Sequence, residues 1–304
     1  MICLRVTTLL LFFTMTLQPL TNRMDITSVL VNDPMHLKMV VSGSSASYMN
    51  AIRRIALSDI LIPSVHTVDM ETNDSDLVPE VFAHQIGMLA IRSSEIMADG
   101  EFLMDIKNDG TSVMNIYAHH LVPQTTGFSI VNPNTLLGYL SPDQCVRLRA
   151  YTKWGTAKEH SKWTCCHCSF YPMPRIGVRH TKPPCLNTSQ LVASACPSGV
   201  FDIEDGGGLC AARPLDCMYC GECAQASRAV DGVEVTVDEK EGEFVFELES
   251  YGSFTSTELL GKVFEVLDRR LSAIQKRIAG DLPKLPSTPP SSPSETTNSA
   301  MCTY

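Results

Sequence analysis

From residue 24 onward, the apolar positions alternate in short runs broken by stripes at helical spacing, the pattern of a chain that mixes strands and helices. Residues 26–41 hold two apolar runs split by Asn32-Asp33-Pro34, which predicts a hairpin. Gly43-Ser44-Ser45 closes it and supplies an N-cap. Residues 46–60 then place Tyr48, Ile52, Ile55 and Asp59 at helical spacing, with Met49 and Ala56 beside them, and Pro63 stops the helix. Residues 65–70 alternate as a strand, Asn73-Asp74-Ser75-Asp76 makes a polar turn, and Pro79-Glu80 opens a second helix over 79–88. Strands are expected at 101–106 and 145–152, with weak signals between them. Between Cys165 and Cys223, cysteine, proline and glycine predominate, so few regular elements are expected. Residues 233–237 and 244–248 alternate around Glu239-Lys240-Glu241-Gly242, which predicts a second hairpin.

The last helix has the clearest pattern. Leu260, Phe264, Leu267, Leu271, Ile274 and Ile278 step by 4, 3, 4, 3 and 4, a heptad seam suited to a partner helix. Thr255 with Glu258 predicts a capping box at its start, and Gly280 with Pro283 marks its end. Leu259, Val263 and Val266 widen the apolar stripe, so the helix can pack on its own chain and also meet a partner. Residues 281–304 are rich in Pro, Ser and Thr and are expected to be a disordered tail.

The chain has 304 residues, a 44% hydrophobic content and a net charge of −9. It can bury a sizeable core, whereas its acidic surface repels a phosphate backbone, so any service to DNA is expected to be indirect, through partners. Residues 6–17 form an apolar run that resembles the core of a signal peptide but is too short to span a membrane. No small-residue cleavage motif follows and the chain restarts at Met24, so residues 1–23 read as a leader or as an upstream extension of the reading frame. No other run is apolar enough for a membrane span.

Of the twelve cysteines, most lie between Cys165 and Cys223, a clustering that favours metal over a scattered disulfide framework. Cys217, Cys220 and Cys223 form a C-x2-C-x2-C run, and Cys196-Pro197 precedes it. Three thiolates on one tight loop with a remote fourth suit an iron–sulfur cluster. Ser227 occupies the position where a two-cluster ferredoxin carries its next cysteine, so a single cluster, 4Fe–4S or 3Fe–4S, is expected. Zinc is the alternative, with Cys165, Cys166 and Cys168 as possible additional ligands. No histidine stands at a spacing that predicts a catalytic dyad, and Gly206-Gly207-Gly208 lacks the strand–turn–helix context of a phosphate loop.

Three blocks carry a family resemblance: Asn50-Ala51-Ile52-Arg53-Arg54-Ile55 with Asp59-Ile60 and Pro63; Glu80-Val81-Phe82-Ala83-His84-Gln85-Ile86-Gly87; and Leu148-Arg149-Ala150-Tyr151 with Lys158-Glu159-His160-Ser161-Lys162-Trp163. Together they resemble the alpha-like RNA polymerase subunit family, whose members include the alpha-like chain of archaeal RNA polymerase and the third-largest subunit of eukaryotic RNA polymerase II. Gln85 and Ala90 depart from the family pattern, which usually has Arg and Pro there. The resemblance implies an α+β fold. A dimerisation domain would be built from both chain ends (24–64 plus 232–280) and interrupted by an insert domain (65–231) carrying a ferredoxin-like cysteine motif at 196–223. It also implies a non-catalytic assembly role, with a small alpha-like subunit and the large catalytic subunits as partners. Arg53 and Arg54 would then face a large subunit, and Cys196, Cys217, Cys220 and Cys223 would hold an iron–sulfur cluster. The protein would be nuclear in a eukaryote and cytoplasmic otherwise. A ferredoxin-like electron carrier is the rival reading of the same cysteines, and a secreted disulfide-rich protein is a third.

Overall fold

The computed structural model describes residues 24–94, 97–280 and 302–303; the expected leader and most of the expected tail lie outside them. The first elements follow the sequence closely. Strands β1 (Asp25–Asn32) and β2 (His36–Ser42) are joined at Asn32-Asp33-Pro34, and helix α1 (Ala46–Ser58) begins where the Ser45 hydroxyl accepts from the Tyr48 N–H at 3.3 Å. Next come β3 (Ile62–Asn73), α2 (Pro79–Gly87), β4 (Ile91–Ser93) and β5 (Glu101–Lys107). The stretch with weak signals holds four short strands, β6 (Met114–Tyr117), β7 (Val122–Pro123), β8 (Phe128–Ile130) and β9 (Leu136–Leu140), and leads into β10 (Cys145–Gly155).

Two expectations are corrected downstream. The segment after Cys165 is largely regular: β11 (Cys166–His180), α3 (Leu186–Ser194), β12 (Phe201–Ile203), β13 (Leu209–Ala211) and α4 (Glu222–Ala229). The expected second hairpin is one continuous strand, β14 (Val233–Ser250), with Gly242 at φ 73° inside it instead of a turn. In the sheet of order β1-β2-β14-β11, β14 has a hydrogen-bonded neighbour on each side, which keeps it extended through its polar middle. The Pro172 and Pro174 that suggested a loop fall in β11, an edge strand of that sheet, where a missing N–H is tolerated. The chain closes with helix α5 (Ser256–Ile278).

The described residues divide into two compact units: 24–30, 38–49 and 170–246 form one, and 31–37, 50–94, 97–169, 247–280 and 302–303 the other. The second is organised by β10, whose alternation sends Val146, Leu148 and Ala150 inward and Arg147, Arg149 and Tyr151 to the solvent. β10 pairs antiparallel with β3 on one side and β5 on the other. The outward arginines meet carboxylates on those strands: Arg147 lies 2.8 Å from Asp105, and Arg149 lies 3.4 Å from Glu71 and 3.3 Å from Glu101. The inward face forms a core with Phe82, Ala83 and Ile86 of α2 and with Phe102 and Met104 of β5. A short pairing at Cys302–Thr303 (β15) flanks β3. The other unit has its own core, in which Val192, Phe201, Leu209 and Cys223 pack with Val233 and Val235 of β14, and Ile176 and Val178 of β11 lie against them.

Candidate partner face and cysteine centre

α5 forms as its caps predict. The Thr255 hydroxyl accepts from the Glu258 N–H at 3.3 Å, and the Glu258 carboxylate accepts from the Thr255 N–H at 2.8 Å. Those hydrogen bonds from Thr255 hold the Glu258 carboxyl below the usual range. At the other end Gly280 adopts φ 83°, the left-handed conformation that terminates helices at glycine. Leu259 and Val263 are fully buried, and the seam residues Leu260, Phe264 and Leu267 are half-buried. The seam then emerges: Leu271 is 51% exposed, Ile274 53% and Ile278 82%. The first half of α5 is therefore anchored, and the second half presents an apolar stripe to solvent.

An ion pair with a neighbouring element also holds the middle of α5. Asp59, at the end of α1, accepts from Lys158 and from Arg270 of α5 (2.6 Å), with its own side chain only 8% exposed. Burial would raise this carboxyl, but the hydrogen bonds and charges of Lys158 and Arg270 outweigh it, and the net effect is a lowered pKa. On α1, Arg53 is half-buried and its guanidinium holds the Asn50 side-chain oxygen at 2.8 Å, whereas Arg54 is exposed. In the third block, Lys162 is buried: its ammonium donates to the Val65 carbonyl at 3.0 Å, lies 3.0 Å from His66 Nδ1 and sits 4.7 Å above the Trp163 ring. Burial, with Lys153 nearby, pushes its pKa down to about 8. Gln85, where the family pattern has Arg, has a buried side-chain oxygen with no hydrogen-bond partner among the described residues.

Among the described residues, β1 is also exposed. It is an edge strand exposed on both faces, with Ile26 at 55% and Val29 at 52% exposure.

The four cysteines singled out by spacing converge. Cys223 enters the core in the first turn of α4, and Cys196, which follows α3, and Cys217 pack against that core. Cys220 is exposed. Burial raises the Cys223 pKa, and the Cys196, Cys217 and Cys220 thiols each add to the rise, so all four sit in one electrostatic neighbourhood. The loop between them bends through left-handed backbone at Tyr219 (φ 55°) and Gly221 (φ 78°), and the Tyr219 hydroxyl ties it to the Pro172 carbonyl at 3.0 Å. Among the described residues, the potential ligand groups whose donor atoms all lie within 4.8 Å of one another include no three of these thiols.

Cys165, Cys166 and Cys168 form a separate set. All three are buried, and the Cys165 and Cys166 thiols donate to the Ala56 carbonyl at 3.5 and 3.3 Å. A hydrogen bond between Cys165 and Cys166, together with burial, raises the Cys166 pKa, and burial pushes Cys168 up to about 12 despite the Arg53 charge. Burial therefore keeps the Cys166 and Cys168 thiols neutral at neutral pH.

Over most of its length the chain is similar to curated proteins of the alpha-like RNA polymerase subunit family. One is the RNA polymerases I and III subunit rpac1 of Dictyostelium discoideum, 27% identical over 268 residues covering 78% of this chain and 76% of the relative. Another is subunit Rpo3 of Methanothermobacter thermautotrophicus, 28% identical and covering 75% of this chain and 89% of the relative. The RNA polymerase II subunit rpb3 of Dictyostelium discoideum is 22% identical, covering 79% and 90%. No protein-family profile matches the chain.

Proposed function

We propose that this chain is a non-catalytic assembly subunit of a DNA-directed RNA polymerase, which pairs with a smaller alpha-like subunit and presents that pair to the large catalytic subunits. The observation that carries this reading is the emergence of the α5 seam: a heptad repeat continues through Leu271, Ile274 and Ile278 after the chain's own cover has ended. A self-contained enzyme gains nothing from that stripe, whereas a pairing subunit needs it. In this role, residues 24–64 and 232–280 form the dimerisation domain and 65–231 the insert. Arg54, exposed on α1, would meet a large subunit, with Arg53 held on the same helix through Asn50. DNA is reached through the assembly, in keeping with the net charge of −9. Relatives from a eukaryote and from archaea leave a nuclear or a cytoplasmic host enzyme as the two settings.

The cysteine centre fits a single iron–sulfur cluster held by Cys196, Cys217, Cys220 and Cys223. One zinc ion with four thiolates at about 2.3 Å would draw the sulfurs to roughly 4 Å from one another. The C-x2-C-x2-C run with a remote fourth cysteine favours the cluster, and zinc is the alternative. When bound, such a group supplies folding energy to its loop, and the chain's part is to hold that loop through Tyr219 and the α3–α4 core.

Affinity purification of the chain from its own cells tests the function. The expected result is recovery of a small alpha-like chain and the large catalytic subunits of one polymerase. Recovery of the intact chain without them overturns the proposal.

A further inference from the structure

The turn between β1 and β2 is held unusually firmly. Asp33 N–H donates to the His36 carbonyl at 2.8 Å, and His36 N–H returns a bond to the Asp33 carbonyl at 3.2 Å. The Met35 and Pro34 carbonyls each accept at 2.7 Å, from the N–H groups of Ser250 and Ser256, and the Ser256 hydroxyl donates to the Asp33 carbonyl at 2.8 Å. His36 therefore points from a fixed backbone.

Opposite it, Glu247 and Glu249 are two residues apart on β14, so they share the face opposite the buried Leu248. Their carboxylates and the His36 ring bring three donor atoms within 4.8 Å of one another, and His36 Nε2 already lies 2.9 Å from Glu247 Oε1. His36 and Glu247 are half-buried, and Glu249 is exposed.

A histidine–glutamate ion pair needs only one of these carboxylates. The second adds a third donor atom within reach of a single ion. One imidazole nitrogen and two carboxylate oxygens, with positions left for water, suit a divalent ion of hard or intermediate character such as manganese or zinc. We propose that His36, Glu247 and Glu249 form a divalent-cation site that ties the 33–36 turn to β14. It contains no thiol and is chemically distinct from the cysteine centre, so it stands or falls independently of the polymerase reading. An ion bound there stabilises the folded chain by mass action, because the unfolded chain does not hold residues 36 and 247 together.

The experiment uses the full-length chain without a histidine tag, stripped with chelator and titrated with Mn2+ alone, the free ion being read by electron paramagnetic resonance. Manganese is the probe because it prefers oxygen and imidazole to thiolate. The wild type is expected to show one saturable site, weakened about tenfold or more by His36→Ala and by Glu249→Gln, and unchanged by Cys217→Ser. Glu249 is exposed, so Glu249→Gln keeps the fold, and its melting temperature should no longer rise with added Mn2+ as the wild type's does. No saturable site in the wild type, or variants that titrate like the wild type, would overturn the assignment.

Discussion

Replacing Leu271, Ile274 and Ile278 together by alanine separates assembly from folding. Fully burying a leucine or isoleucine side chain contributes about 1.5–3 kcal/mol. With roughly half of Leu271 and Ile274 and most of Ile278 left uncovered, a partner helix gains about 4 kcal/mol by covering all three. Alanine retains a fraction of that contact, so the triple variant loses about 3 kcal/mol of pairing energy, or roughly 100-fold in Kd. The isolated chain hardly registers the change, because these side chains already stand in water and alanine is a better helix former than isoleucine. Titration calorimetry against the purified small alpha-like subunit measures the first quantity, and the melting temperature of the chain alone measures the second. Unchanged pairing would refute the partner-face argument, and so would a collapse of the melting temperature, since it would mean that these residues support the chain's own core.

Three further outcomes follow from the geometry. Asp59→Asn removes a carboxylate shared by Lys158 and Arg270; because both cations can turn to water, a loss of about 1–2 kcal/mol is expected in denaturant unfolding. The Asp59 pKa is lowered in the folded state, so its contribution is present above the unfolded carboxyl pKa and fades as pH falls through the folded value; the stability gap between wild type and variant should close in acid. Lys162, at about 8 when folded against 10.5 as its ordinary value, gives up its proton more readily in the native state, so stability should rise with pH between those values, and the difference between wild type and Lys162→Met should carry that slope. Protein purified without oxygen should contain iron and labile sulfide that Cys217→Ser abolishes and Cys166→Ala leaves in place; zinc alone, or an intact fold without metal, would defeat the cluster proposal.

Features specified within a few residues were legible in the sequence. The caps of α1 and α5, the first hairpin, the strands β5 and β10 and the heptad spacing all depend on neighbours along the chain, and the structure places them where their patterns indicate. Pairing partners were not legible. The polar middle of β14 looks like a turn until β2 and β11 lie on either side of it, and β11 looks like a loop until its prolines are seen on a sheet edge. Strands β6 to β9 are too short for a period of two to show. The cysteine run was visible from spacing, but the structure had to separate it from Cys165, Cys166 and Cys168, which are buried apart from it beside the Ala56 carbonyl. His36 and Glu247 lie 211 residues apart, and no sequence pattern links them.

The exposed edge of β1 has a consequence for a copy of this chain without its partners. Its outer backbone N–H and C=O groups, with Ile26 and Val29 among them, offer a ready template to any extended segment, including the same strand of a second copy. Solubility is then a matter of concentration: a cell that accumulates much of this chain accumulates with it an edge prone to self-association.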